Sequence, residues 1–380
     1  MYWQIWLGYV LLISALGAAE SDPLLSEPWL VEGLSESVVT DQAPPAWNFR
    51  LDHVLSGNDH GGLTHHRSTL NATFETVLAE QWFVRFQALD TLFWSPDSRL
   101  TNHANYTNEF SVHDMWAQYS VDYLSFKLGK QSVVWGAVEG AEVVDVITPL
   151  DRRDFLLADS NGVRQAQWMA VMSAYKYASS WQAFITVEPT FDIYPETIKE
   201  SQTDLWEWGV RGQFEMGDAA EWALQFAHLV PNTPFDLALI PYNLLAISAV
   251  MTRNSWLWKA DVGVRMGETN TLHGALGVES HWQQQTMTAF VSYHDTIPAV
   301  AWMGIQWRKS YWYDTVLGSV MLTGTADLDS TAWVSQVTYR ANDRVEVLAA
   351  WMVVLLAEDQ SMMGYSQGDQ QLMLKLLYQF

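Results

Sequence analysis

The sequence predicts an all-β fold: a transmembrane antiparallel β-barrel of about sixteen strands, with fourteen to eighteen open, and one inward-folded loop. Three observations carry this. Apolar and polar residues alternate with period two over most of the chain. Charged side chains recur on one face of these segments while Trp-rich apolar residues occupy the other. Downstream of the N-terminus, no apolar run reaches the roughly 18 residues a membrane-spanning helix needs, so any crossing of a membrane is made by strands.

The elements follow in order. Ile5 to Ala18 form a short apolar run ending in the small residues Gly17, Ala18 and Ala19, which predicts a signal peptide over 1–19 with cleavage after Ala19. Met1 to Gln4 lack Lys and Arg, so only the α-amino group supplies the positive end. Residues 20–46 are rich in Pro and Ser and carry Glu20, Asp22, Glu27, Glu32, Glu36 and Asp41 without a basic residue, and they are expected to form an acidic periplasmic leader.

Residues 47–380 are expected to form the barrel. A first strand spans Trp47 to Leu55, and others are expected near 66–78, 82–94, 110–121, 123–131, 164–177, 181–188, 206–214, 222–229 and 244–252. The series continues at 256–266, 271–282, 286–294, 301–308, 311–322, 331–340, 344–355 and 370–380. A conservative even count of these gives sixteen. The clearest sets Trp256, Trp258, Ala260, Val262, Val264 and Met266 against Lys259, Asp261 and Arg265. A basic group facing lipid at the midplane costs about 2–4 kcal/mol, so these charges, like Arg211 opposite Trp208 and Val210, are expected to line a polar interior. A soluble β-sandwich would also alternate; signal peptide, Trp-rich faces and repeated opposite charges jointly favour the barrel.

The last strand sets Leu372, Leu374, Leu376, Tyr378 and Phe380 against Gln371, Met373, Lys375, Leu377 and Gln379. It resembles the closing strand of a Gram-negative outer-membrane barrel, with Tyr378 and Phe380 as the assembly signal. That resemblance implies an outer-membrane location, and outer-membrane lipids and the barrel assembly machinery as partners.

Composition narrows the function. With no Cys among 380 residues, disulfide, thiolate and Cys-ligated metal chemistry are excluded. The 21 Trp and 15 Tyr exceed what a soluble core uses and suit girdles at two membrane interfaces. A formal charge of −23 argues against nucleic acid as a partner and suits solvated loops or a cation-attracting lumen.

Residues 129–165 break the hairpin rhythm, and a long connection in a compact protein is often functional. They place Val143, Val144, Val146 and Ile147 beside Asp145, Asp151, Arg152, Arg153 and Asp154. The segment 136–163 is expected to fold into the lumen, its valines on the inner wall and its charges on the remaining passage, as a constriction. Asp145, Asp151, Arg152, Arg153 and Asp154 are the leading candidates, with Glu139 and Glu142 next. The alternative is that these charges pair with one another and only hold the loop to the wall. Gly129-Lys130-Gln131, Trp135-Gly136, Asp145, Pro149, Asp151 and Arg152 together resemble a pattern of porin-like outer-membrane proteins of unassigned function found beside lipid or hydrophobic-solute export systems. The match is more distantly similar to alginate-export and phosphate-selective porins. The pattern covers about 25 residues and implies a barrel with an internal loop.

Catalytic readings are weaker. His60, His65 and His66 with Asp59 have no spacing that fixes a metal site, so neither metal nor cofactor is expected. Ser280 with His281 and Ser292 with His294 lie in no recognisable nucleophile context. The expected function is a non-enzymatic outer-membrane porin passing small polar or amphipathic solutes by passive diffusion, weakly preferring cations. The alternative is a plugged barrel serving lipid or hydrophobic-solute export, with an inner-membrane export partner, or a surface scaffold; a homo-oligomer is open in either case.

Overall fold

The computed structural model describes residues 46–59, 61–94, 107–153, 164–193, 205–217, 219–232, 240–295, 300–357 and 368–380. The expected signal peptide and, except for Ala46, the leader lie outside the described residues.

Strong alternation makes long strands. In chain order they are β1 (Ala46–Asn58), β2 (Leu63–Ala79), β3 (Trp82–Phe93), β4 (Thr107–Val121), β5 (Leu124–Gln131) and β6 (Gln167–Lys176). Next come β7 (Ser179–Thr186), β8 (Glu207–Glu215), β9 (Ala220–Leu229), β10 (Tyr242–Arg253), β11 (Trp256–Met266) and β12 (Asn270–Trp282). The last six are β13 (Gln285–His294), β14 (Val300–Tyr311), β15 (Val316–Thr325), β16 (Ser330–Asn342), β17 (Val345–Ala357) and β18 (Gln370–Gln379). Each strand pairs antiparallel with its sequence neighbours, and β1 pairs with β18 from Arg50↔Gln379 to Asn58↔Gln371, closing the sheet. The Phe380 N–H donates to the Phe49 carbonyl across that seam at 3.0 Å. Closure leaves no unpaired edge, which a hydrocarbon environment requires.

Among the described residues there are eighteen strands, which corrects the expected sixteen. Every alternating segment in the sequence is a strand, and the conservative count left out two. β5 and β7 have eight residues each, short of the roughly 9–11 of a tilted crossing, yet both join the ladder because each is hydrogen-bonded on both sides. One boundary also moves. The strand expected over 311–322 begins at Val316 because Trp312, Tyr313 and Asp314 adopt φ of 51°, 54° and 65°, turning an aromatic stretch that reads as strand.

The connections from β2 to β3, β4 to β5 and so on to β16–β17 are two to four residues long, whereas the opposite end carries the longer loops, the longest being 132–166. Short turns mark the periplasmic end of a bacterial barrel. Outward side chains are apolar: Trp181, Trp208, Trp258, Leu276 and Leu376 are all exposed on the wall. At the tight-turn end aromatic rings sit in contact, Trp82 with Tyr119 at 5.0 Å and Phe214 with Trp222 at 4.7 Å across strands and Tyr378 with Phe380 at 4.8 Å along the last one, forming an interfacial girdle. Inward positions are polar and buried, including Asp52, Arg67, Glu207, Gln225, Lys259, Asp261 and Gln371.

Candidate functional site

A main chain that leaves the sheet must find new partners for its N–H and C=O groups. Residues 132–153 find theirs inside the barrel. At the neck of this loop, Val133 N–H donates to Thr148 Oγ1 at 2.9 Å and Thr148 Oγ1 donates back to the Val133 carbonyl at 2.8 Å. Amide side chains on the wall reach in to loop carbonyls: Gln167 Nε2 to Ile147 at 2.7 Å, Gln225 Nε2 to Trp135 at 3.2 Å and Asn232 Nδ2 to Val146 at 2.8 Å. Asp261 of β11 does the converse, its carboxylate accepting from Ala137 N–H and Val138 N–H, each at 2.9 Å, and from Ser248 Oγ.

The apolar side chains of the loop then pack on the inner wall. Val133, Trp135, Val138, Ala141, Val143, Val144, Val146 and Ile147 are buried against Met169 and Val171 of β6, Phe184 of β7, Ala227 and Leu229 of β9, Leu244 and Ala246 of β10, and Ala275 of β12. Trp135 is fully buried, meets Phe184 edge-on at 5.2 Å and donates from Nε1 to Gln182 Oε1 at 2.6 Å. Its ring lies so close to Gly209 that a Cβ there would sit 2.9 Å from it and 2.7 Å from Phe184. Gly140 turns with φ +77° over the Phe290 ring, a conformation glycine alone adopts without strain. Residues 133–147 are thus seated on β6–β13; of the segment expected to fold inward, 136–163, residues 154–163 lie outside the described residues.

The loop's charges are partnered. Arg164 pairs with Asp145 at 2.5 Å; Arg152 bridges Glu142 at 2.5 Å and Asp192 at 2.7 Å; Arg153 pairs with Asp151 at 2.8 Å and reaches Glu109 of β4 at 3.6 Å. Lys259 sits between Glu139 at 3.1 Å and Glu279 at 3.3 Å. Arg265 donates to the Glu142 carbonyl at 3.2 Å with its guanidinium 5.5 Å from the Tyr242 ring. Arg211 borders a cavity of about 40 Å³ beneath Gly136 and Ala137, room for a water. Asp154 lies outside the described residues.

Exposure divides these groups. The Glu139 and Glu142 side chains are 58% and 44% exposed, whereas those of Asp145, Asp151 and Arg153 are 13%, 12% and 12% exposed. The two glutamates thus keep about half of their side-chain surface open, while the remaining charges brace the loop. Burial raises the Asp145 carboxyl above the usual carboxylate range, with Arg164 pulling it back. Asp192 is likewise raised by burial against the pull of Arg152.

Sequence reasoning missed Asp192, Gln167, Gln225, Ser248 and Glu109. Single amides and acids on other strands carry no pattern that ties them to a distant loop. Of the catalytic candidates, His281 bonds Glu279 and Thr286, and His294 lies against His273, their Nδ1 atoms 3.3 Å apart. Among the described residues no group of three or more His, Asp or Glu is placed to hold a metal ion.

No family model and no curated protein matches the chain by sequence. Solved structures match it by fold. The outer-membrane protein OpdK of Pseudomonas aeruginosa superposes with a TM-score of 0.58 at 9% identity, covering 88% of this chain and 98% of that one. OccAB3 of Acinetobacter baumannii gives 0.59 at 9% identity over 89% and 99% of the two chains, and OccK9 (OpdG) of Pseudomonas aeruginosa gives 0.60 at 8% over 89% and 98%. The chain has the fold of an outer-membrane porin. Its closed wall, outward apolar face and interfacial aromatics are those of a barrel that crosses a membrane with strands. The porin-like part of the sequence resemblance agrees with this fold.

Proposed function

We propose that this barrel is a passive diffusion channel for small polar or amphipathic solutes, weakly preferring cations, with a passage set by the internal loop. The observation that carries the reading is the loop itself, bonded and packed inside the wall with Glu139 and Glu142 turned to the open side. A fixed negative charge in a narrow aqueous passage favours cations and sets a size limit. One neighbour of the same fold, OpdK, has been solved with vanillate, a small amphipathic solute that matches the proposed size and polarity but, being a carboxylate anion, not the proposed charge preference. No catalytic residue enters the reading. The finer likeness to alginate-export and phosphate-selective porins adds nothing to it, because inward basic residues here are interleaved with acids. Tyr378 and Phe380 are read as the assembly signal.

The test is single-channel conductance of refolded protein in a planar bilayer under a salt gradient. Steady conductance with a cation-favouring reversal potential is expected, and Glu139→Gln with Glu142→Gln should bring that potential toward zero while conductance persists. The dense packing of the loop supports a second reading, a plugged barrel for lipid export or surface anchoring, and a silent bilayer from folded protein would select it.

The pH dependence has a definite sign. Asp145 and Asp192 take up protons above the ordinary carboxylate value of 3.8. Each uptake removes a negative charge and leaves Arg164 or Arg152 less balanced, so the passage becomes more positive. Cation preference should fall on acidification, starting at a pH above that of an ordinary carboxylate. Reversal potentials recorded from neutral to acidic pH check this, and the drop should begin nearer the ordinary value only in the double variant Asp145→Asn/Asp192→Asn.

A further inference from the structure

The outer wall of a barrel is ordinarily convex, yet a hollow of about 690 Å³ lies along β10–β16 with almost wholly apolar lining. Its small side chains are neighbours in the ladder: Ala249 opposes Ala260, and Ala289 opposes Ile305. Trp258, Leu276 and Ile305, all well exposed, stand around them on the same face. These residues face away from the loop, since Gly277, one residue from Leu276, meets Val138 of the loop on the inner side.

Ile305 begins a second feature. Every other residue along β14 keeps its face, so Ile305, Trp307, Lys309 and Tyr311 share the outward side. Lys309 is thus a cation on the lipid face, four residues or about 13 Å from the hollow at ~3.3 Å per residue. It sits at the tight-turn end with its ammonium 5.0 Å from the Tyr311 ring centroid. No carboxylate lies within ion-pair distance of it among the described residues. With strands tilted by about 35–45°, the separation is roughly 9–11 Å along the membrane normal, which sets the cation on the headgroup side of the hollow.

We propose that this groove is a binding site for one glycerophospholipid of the periplasm-facing leaflet, an acyl chain lying over Ala249, Ala260 and Ala289 and the phosphate on Lys309. The hollow offers apolar surface a chain can fill, and the cation offers the charge a phosphodiester needs. A second copy of the chain fits less well, because a concave patch meeting itself across a two-fold axis leaves the hollow unfilled. The inference stands apart from the lumen and does not depend on whether solutes pass.

The test is native mass spectrometry of the full barrel released from mild detergent after addition of phosphatidylglycerol or phosphatidylethanolamine. Wild type should retain one phospholipid. The retained fraction should fall about tenfold in the filled variant Ala260→Phe/Ala289→Phe and in Lys309→Glu, the latter leaving the groove intact should the former fail to fold. Folding is read from heat-dependent mobility in SDS. Equal retention in wild type and the folded variants would overturn the proposal. So would a filled variant that changes the number of associated copies while phospholipid retention stays the same, since that would make the groove a subunit interface.

Discussion

Asp261→Ala should release the constriction and raise single-channel conductance several-fold, with large open-state fluctuations, while the barrel stays folded. The Asp261 carboxylate is buried and accepts from two loop N–H groups and one hydroxyl. Truncation leaves these donors without their acceptor, and each unsatisfied buried donor costs about 1–3 kcal/mol. The cost falls on the loop's docked position, because the β10–β11 ladder around residue 261 is backbone-bonded. A shift of only about 1.4 kcal/mol multiplies the undocked population tenfold. Asp261→Asn is the control: its amide oxygen still accepts from Ala137 and Val138, so a much smaller rise is expected. A silent or unchanged Asp261→Ala channel would show that this carboxylate does not hold the passage.

Trp135→Ala should act in the same direction through packing. The ring is fully buried between Phe184 and Gly209, and removing such a side chain costs about 3–5 kcal/mol. Gln182 Oε1 would also lose its donor at 2.6 Å. Because β7 and β8 remain paired to both neighbours, the loss is again local to the loop. Trp135→Phe retains most of the packing and should cost only the hydrogen bond, about 1 kcal/mol. Conductance and proteolysis of the loop in folded barrels should rank alanine well above phenylalanine and wild type. Equal values for all three would mean the loop is held without this ring.

The two variants probe different levels of the fold. Trp135 stands in a recognisable motif, and its burial is a matter of apolar area. Asp261 was legible only as an inward charge on a clean strand, with nothing to say that its partner would be a main chain more than a hundred residues away. The Glu139 and Glu142 pair illustrates the same limit. Their place on an unusual loop is visible in the sequence, but whether they or Asp145 and Asp151 face the passage depends on which arginines fold over which acids.

The sequence by itself determined the class of fold, the direction of each strand's faces and the place of the odd loop. Period-two alternation is a local property, and a charge opposite a Trp has only one tolerable side in a membrane. Even the eighteen strands were each visible, though the conservative count of sixteen was not theirs. Only the tertiary structure decided closure of β1 on β18, the seating of the loop on β6–β13, the pairing of its charges and the hollow on the outer wall. Each of these joins residues distant in sequence through backbone acceptors, ring packing or curvature, and no local pattern records such meetings.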